Sequence, residues 1–255
     1  MSGFTTNGWR ILGVFLLFPL IFFWYPGYQY HYGALRSVIT HLMTPLFSMG
    51  LILYHVLFQS DRFSALSGTL TRVPNNKYIP WEFFFSHAIP RRVIYSVRTI
   101  GFLIFICLPW VGYMARTCLQ PDLQLDVRHD AQAAIDFYLI HFPGAFTKLN
   151  PEYMHSYIIV IPHGAILAVA AGFLLFLTFI LLYQLCMEVI RNGWLQLGIS
   201  FGLILLIPLI LVGLLSEKRV LWICSNLPWV CVWVIILAVM IQGFCCNRFI
   251  RKEII

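Results

Sequence analysis

The sequence predicts an all-α, polytopic integral membrane protein with about six transmembrane helices and short extra helices in two larger loops. Three observations lead there. First, 60% of the 255 residues are hydrophobic and 11% are charged, with a mean hydropathy of +0.82; a soluble domain carries about 25% charged residues. Second, apolar runs long enough to cross a ~30 Å hydrocarbon core recur along the chain. Third, aromatic residues make up 16% of the chain and many stand at the ends of those runs, where Trp and Tyr anchor in the interface. The length suits a single helical membrane domain over residues 1–255, with no room for a large soluble domain beside it.

The net charge of +7 fits basic cytoplasmic loops and contact with anionic headgroups, and no nucleic-acid partner is expected. The seven cysteines form no CxxC pair and no zinc-ligand spacing. Cys107, Cys186 and Cys231 stand in apolar runs, where a thiol behaves as a small hydrophobe.

The first crossing is expected at about 9–25, an uncleaved signal anchor without a small-x-small cleavage site and with Pro19 inside it. The second, about 37–58, holds the ionisable side chains His41 and His55 well inside an apolar run. At about 100° per residue, Ser37, Thr40, His41, Thr44, Ser48 and His55 share one stripe. An unpaired polar group in hydrocarbon costs several kcal/mol, so this stripe is expected to face other helices, a cavity or a bound group. A polar stretch follows at roughly 59–92, whose aromatic and basic segment YIPWEFFFSHAIPRR suits the headgroup region.

The third crossing is placed at about 93–115, with Pro109 toward its far end. A second loop, roughly 116–155, carries Asp122, Asp126, Asp130, Asp136 and Glu152. Within it Ala131, Ile135, Tyr138 and Phe142 recur at helical spacing and predict an amphipathic helix that Pro143 and Gly144 end. The fourth crossing, about 157–187, exceeds the core thickness and should tilt or bend at Pro162. The fifth and sixth are placed at about 194–215 and 221–246, joined by the charged loop SEKR. Gly164, Ala168 and Gly172 on the fourth crossing, and the GxxxG of Gly198 and Gly202 on the fifth, predict that these two helices pack through small faces.

With six crossings, one set of loops and adjoining ends holds Arg10, Arg62, Arg72, Lys77, Arg91, Arg92, Arg98, Arg191, Arg248, Arg251 and Lys252. The other set holds Arg36, Arg116, Arg128, Lys148, Lys218 and Arg219. The positive-inside rule then puts both termini in the cytoplasm of a bacterial inner membrane or a plasma membrane, and the acidic loop outside. Cys118 and Cys224 fall near that outer face, where a disulfide between them is one alternative and two free thiols the other.

Three chemistries compete with plain packing. His41 and His55 lie about 21 Å apart along a helix axis, the arrangement by which b-type cytochromes hold two haems. His163 could share a haem with His41, but His55 has no partner inside a crossing. Metal binding would draw on His129, His141 and His155 with Asp126, Asp130 and Asp136, in a spacing that matches no metal motif. Carriers place acidic or basic groups mid-membrane, and no Asp or Glu sits well inside a crossing here. The sequence contains no HExxH and no Gly-rich phosphate loop, so an enzyme is not the expectation.

The leading expectation is a non-enzymatic subunit or accessory factor of a multiprotein membrane complex, without a cofactor and with other membrane proteins as partners. A subunit carrying haem b on His41, His163 and His55 is the alternative. A small-molecule transporter is the third.

Overall fold

The computed structural model describes residues 34–58, 90–128, 132–151, 156–190 and 193–251. The expected crossing at 9–25 and almost all of the 59–92 loop lie outside the described residues, as do His129, Asp130, His155 and the side chain of His55. The described chain is mostly helical, and three of its helices are long and apolar enough to span a membrane: Tyr95–Leu119, Gly164–Val189 and Leu227–Arg248.

In chain order the elements are α1 (Leu35–Phe58), α2 (Arg91–Leu119), β1 (Leu123–Arg128), α3 (Gln132–His141), β2 (Phe146–Leu149), β3 (Ser156–Ile161), α4 (Gly164–Val189), α5 (Gly193–Leu214), α6 (Glu217–Ser225) and α7 (Leu227–Arg251). The helices α1, α2, α4, α5 and α7 run between two ends of one bundle. At one end stands a small cap made of the three strands and α3. The start of α1 meets the cap through Tyr138, and the start of α4 meets it through Leu123 and Ile161. At the far end the start of α2 meets the ends of α4 and α7 through Tyr95, Gln184 and Gln242.

The sheet corrects the all-α expectation. Its strands are antiparallel in the order β1-β3-β2, with Leu123 opposite Ile161, Arg128 opposite Ser156, Phe146 opposite Val160 and Leu149 opposite Tyr157. The segment LQLDVR buries every second side chain, which is the period of a strand. Leu123, Leu125, Val127, Ile159 and Ile161 join the same hydrophobic core as the helices. Within the cap, α3 buries Ile135 and Tyr138, and Phe142 stacks on Tyr138 just beyond its end.

Two expected crossings have different limits. The stretch at 157–187 begins as β3, because SYIIVI is rich in β-branched residues, and Pro162 ends the strand before α4 starts at Gly164. The stretch at 221–246 is divided at Asn226 into α6 and α7, with Pro228 in the first turn of α7. The SEKR loop is itself a helix start, with the Ser216 hydroxyl accepting from the Arg219 N–H at 3.4 Å. Pro109, by contrast, lies inside α2 and the helix continues through it.

The core is built on α4, which packs against α1, α7 and α2. From α1 it receives Leu35, Val38, Ile39, Leu42, Met43, Leu46, Phe47 and Leu51, a single face at helical spacing. Trp110 of α2 sits over Gly172, with ring centroids 5.5 Å from Phe173 and 5.6 Å from Phe176.

Candidate functional site

Among the described residues, three polar networks lie inside or beside the bundle. The first joins the three candidate spans at the far end. The Tyr95 hydroxyl donates to Gln242 Oε1 at 2.7 Å, Gln242 Nε2 donates to Gln184 Oε1 at 2.8 Å, and Gln184 Nε2 donates to the Tyr95 hydroxyl at 3.1 Å. Each side chain comes from a different helix, α2, α7 and α4. Gln184 is 1% exposed, so its amide has no water to fall back on. The ring of donors and acceptors closes on itself, which satisfies the groups at the smallest cost.

The second network joins α4 to α5. The Tyr183 and Ser200 hydroxyls are 2.7 Å apart, and Ser200 donates to the Gln196 carbonyl. Gln196 Nε2 donates to the carbonyls of Met187 and Ile190, both at 2.7 Å. Those carbonyls belong to the last turn of α4, whose acceptors have no partner within the helix. A side chain of α5 therefore caps α4.

The third lies where the cap meets the bundle. The Leu35 N–H donates to Glu217 Oε1 and to the Tyr138 hydroxyl, both at 2.9 Å, and the Arg36 N–H donates to Glu217 Oε2 at 3.2 Å. The Tyr138 hydroxyl also donates to Glu217 Oε1. The Glu217 carboxylate thus sits on the positive end of α1 as well as in the first turn of its own helix, α6. Burial first, and the Glu217 carboxylate second, hold the Tyr138 hydroxyl protonated far above its usual range. The nearby Cys224 thiol is pushed up to about 12 by burial and then by the same carboxylate.

The residues singled out from the sequence are placed differently. His41 is exposed, and Ser37, Thr40 and Thr44 are only half-buried, so among the described residues the polar stripe of α1 looks outward and the apolar face looks inward. Thr40 and Thr44 satisfy their hydroxyls by donating to the carbonyls of Arg36 and Thr40, four residues back, at 2.9 and 2.8 Å. His163 is exposed in the turn before α4, with a left-handed backbone (φ 56°), and its N–H donates to Asp122 Oδ1 at 3.2 Å. His141 is exposed at the end of α3, its Nδ1 2.7 Å from the Phe137 carbonyl. Asp126 lies on β1 and Asp136 on α3, where it accepts from Gln132 Nε2 at 2.9 Å. No group of three metal-ligand side chains occurs among the described residues. Cys118 and Cys224 are free thiols, one exposed and one buried.

The small residues divide. A Cβ on Gly172 would meet the Trp110 ring at 3.2 Å, one on Gly164 would meet Ile161 and Leu123 at 2.9 Å, and Ala168 is buried. The neighbours of the two glycines belong to α1, α2 and the sheet rather than to α5. A Cβ on Gly198 or Gly202 would meet nothing within 4 Å, so α5 approaches α4 through Gln196 and Ser200 instead.

The residues that matter most here, Tyr95, Gln184, Gln242, Gln196 and Glu217, were not picked out by the histidine pattern. A lone amide inside an apolar run, as in LLYQLC and VMIQGF, is the sequence signal that finds Gln184 and Gln242, since each must meet a partner. Comparison with known proteins finds no matching family model, no similar curated protein and no similar solved structure.

Proposed function

We propose that the chain is a non-enzymatic subunit or accessory factor of a multiprotein membrane complex. It crosses the membrane six times, with both termini cytoplasmic and the cap outside, in a bacterial inner membrane or a plasma membrane. The eleven-to-six division of its basic residues supports that orientation. So does the way α1, α2, α4, α5 and α7 run alternately between the cap end and the far end.

The observation that carries the subunit reading is α7. Half of the apolar window of α4 is buried within the chain, but only 17% of that of α7. Trp229, Trp233, Val239 and Met240 are each 68% exposed along one helix. The Tyr95–Gln242–Gln184 ring and the Tyr183–Ser200 pair support the same reading, since these side chains bond to one another across helices. Interhelical bonds of this kind hold a scaffold in shape.

The test is site-specific photo-crosslinking in native membranes, with the probe at Trp233 or Val239 of α7 and, as a comparison, at Ile104 of α2. The subunit reading expects a discrete protein adduct from α7 and lipid adducts from α2. Lipid adducts alone from both helices would refute it.

A further inference from the structure

We propose that Tyr138, Glu217 and the first turn of α1 form a releasable latch between the cap and the membrane bundle. The residue at the N-cap of α1 is Ala34, whose carbonyl accepts from Ser37 at 3.1 Å and Val38 at 3.4 Å. Alanine has no side-chain acceptor to offer the free amides that follow. Those of Leu35 and Arg36 are served from other elements, Glu217 lying 182 residues from Leu35 and Tyr138 lying 103.

The corner that presents Glu217 is fixed independently. Ser216 caps α6, and Arg219 Nη1 donates to the Leu214 carbonyl at the end of α5 at 2.7 Å. With those jobs taken, the Glu217 carboxylate is available to α1.

Two features make the link releasable rather than a fixed rivet. Glu217 and Arg36 are only half-buried, so water reaches the junction and competes for its hydrogen bonds. And α3, which carries Tyr138, has no extensive backbone packing with any described element; it is held by side chains, Ile135, Tyr138 and Phe142 with Ala134 and Phe137 beside them. The strands, by contrast, are tied in at Gly164 and by the Ala165 N–H donating to the Pro121 carbonyl at 3.0 Å. Release would free α3 and leave the first turn of α1 uncapped in one step.

The experiment is hydrogen exchange by mass spectrometry on the full chain in lipid nanodiscs. Wild type is compared with Tyr138→Phe and Glu217→Gln. The latch expects exchange in the first turn of α1 and across α3 to rise together, by about tenfold or more, as for losing one hydrogen bond to a charged group. The middle of α4 should stay unchanged. A rise in α1 without α3 would overturn the latch and leave an ordinary helix cap. If a variant fails to fold, the wild type decides alone on warming: exchange in α3 and in the first turn of α1 should rise together before α4 changes. All three rising at one temperature would overturn the proposal.

Discussion

Replacing Gln184 with leucine tests whether the Tyr95–Gln184–Gln242 ring holds the candidate spans together. The substitution removes the bond accepted from Gln242 at 2.8 Å and the one donated to Tyr95 at 3.1 Å; a third contact, at 3.4 Å to Gln242, is too long to count for much. Hydrogen bonds between membrane helices average about 0.6 kcal/mol and reach about 1.7. Two of them give about 1–3 kcal/mol, because Gln242 Nε2 is also left without its acceptor. Leucine suits the site otherwise, since Leu181 and Leu185 already line it. Gln242→Leu should cost a similar amount. The double variant should cost less than the sum by about 1 kcal/mol, because two leucines leave neither amide stranded. The assay is reversible unfolding in mixed micelles, following tryptophan fluorescence as denaturing detergent is added. Costs that add to within about 0.5 kcal/mol would show no coupling and refute the ring as a joint.

Other predictions follow from the close contacts and strained turns. Gly172→Leu should destabilise by about 1–3 kcal/mol, because its side chain must displace the Trp110 ring, whereas Gly202→Ala should be neutral or slightly stabilising; the same unfolding assay compares them. His163→Gly should stabilise by about 0.5–1 kcal/mol by relieving a left-handed residue, with no change in the absorption spectrum; loss of a b-type α-band would instead make His163 a haem ligand. Cys224 stays protonated in the fold up to about 12, against 9.0 when exposed. Its contribution to stability is therefore complete below the exposed value and is lost as pH rises toward the folded one. Cys224→Ala should make the alkaline loss of stability over that range shallower, as read from thermal unfolding against pH.

The membrane class was legible because apolar composition is a bulk property and needs no knowledge of neighbours. The helix over the Ile135–Tyr138 region was legible from its three- and four-residue spacing, and α3 occupies Gln132–His141. The sheet was not, because the alternation of LQLDVR lasts only six residues within an acidic loop, and because SYIIVI merges by hydropathy into the helix that follows. The joints were hidden for a different reason. A glutamine in an apolar run declares that it needs a partner, but Gln184 and Gln242 are 58 residues apart and only the fold brings them together. The GxxxG of Gly198 and Gly202 shows the converse: small residues permit close approach, and neighbours with better polar complementarity, Gln196 and Ser200, took the contact.

The most direct test of the subunit proposal is the mass of the particle that carries this chain, extracted from native membranes in lipid nanodiscs and weighed by native mass spectrometry. The chain alone is 29.5 kDa. The expected result is a heavier assembly holding at least one other membrane protein in a fixed ratio to this chain. A particle containing one copy with lipid, or several copies of this chain alone, would contradict the proposal.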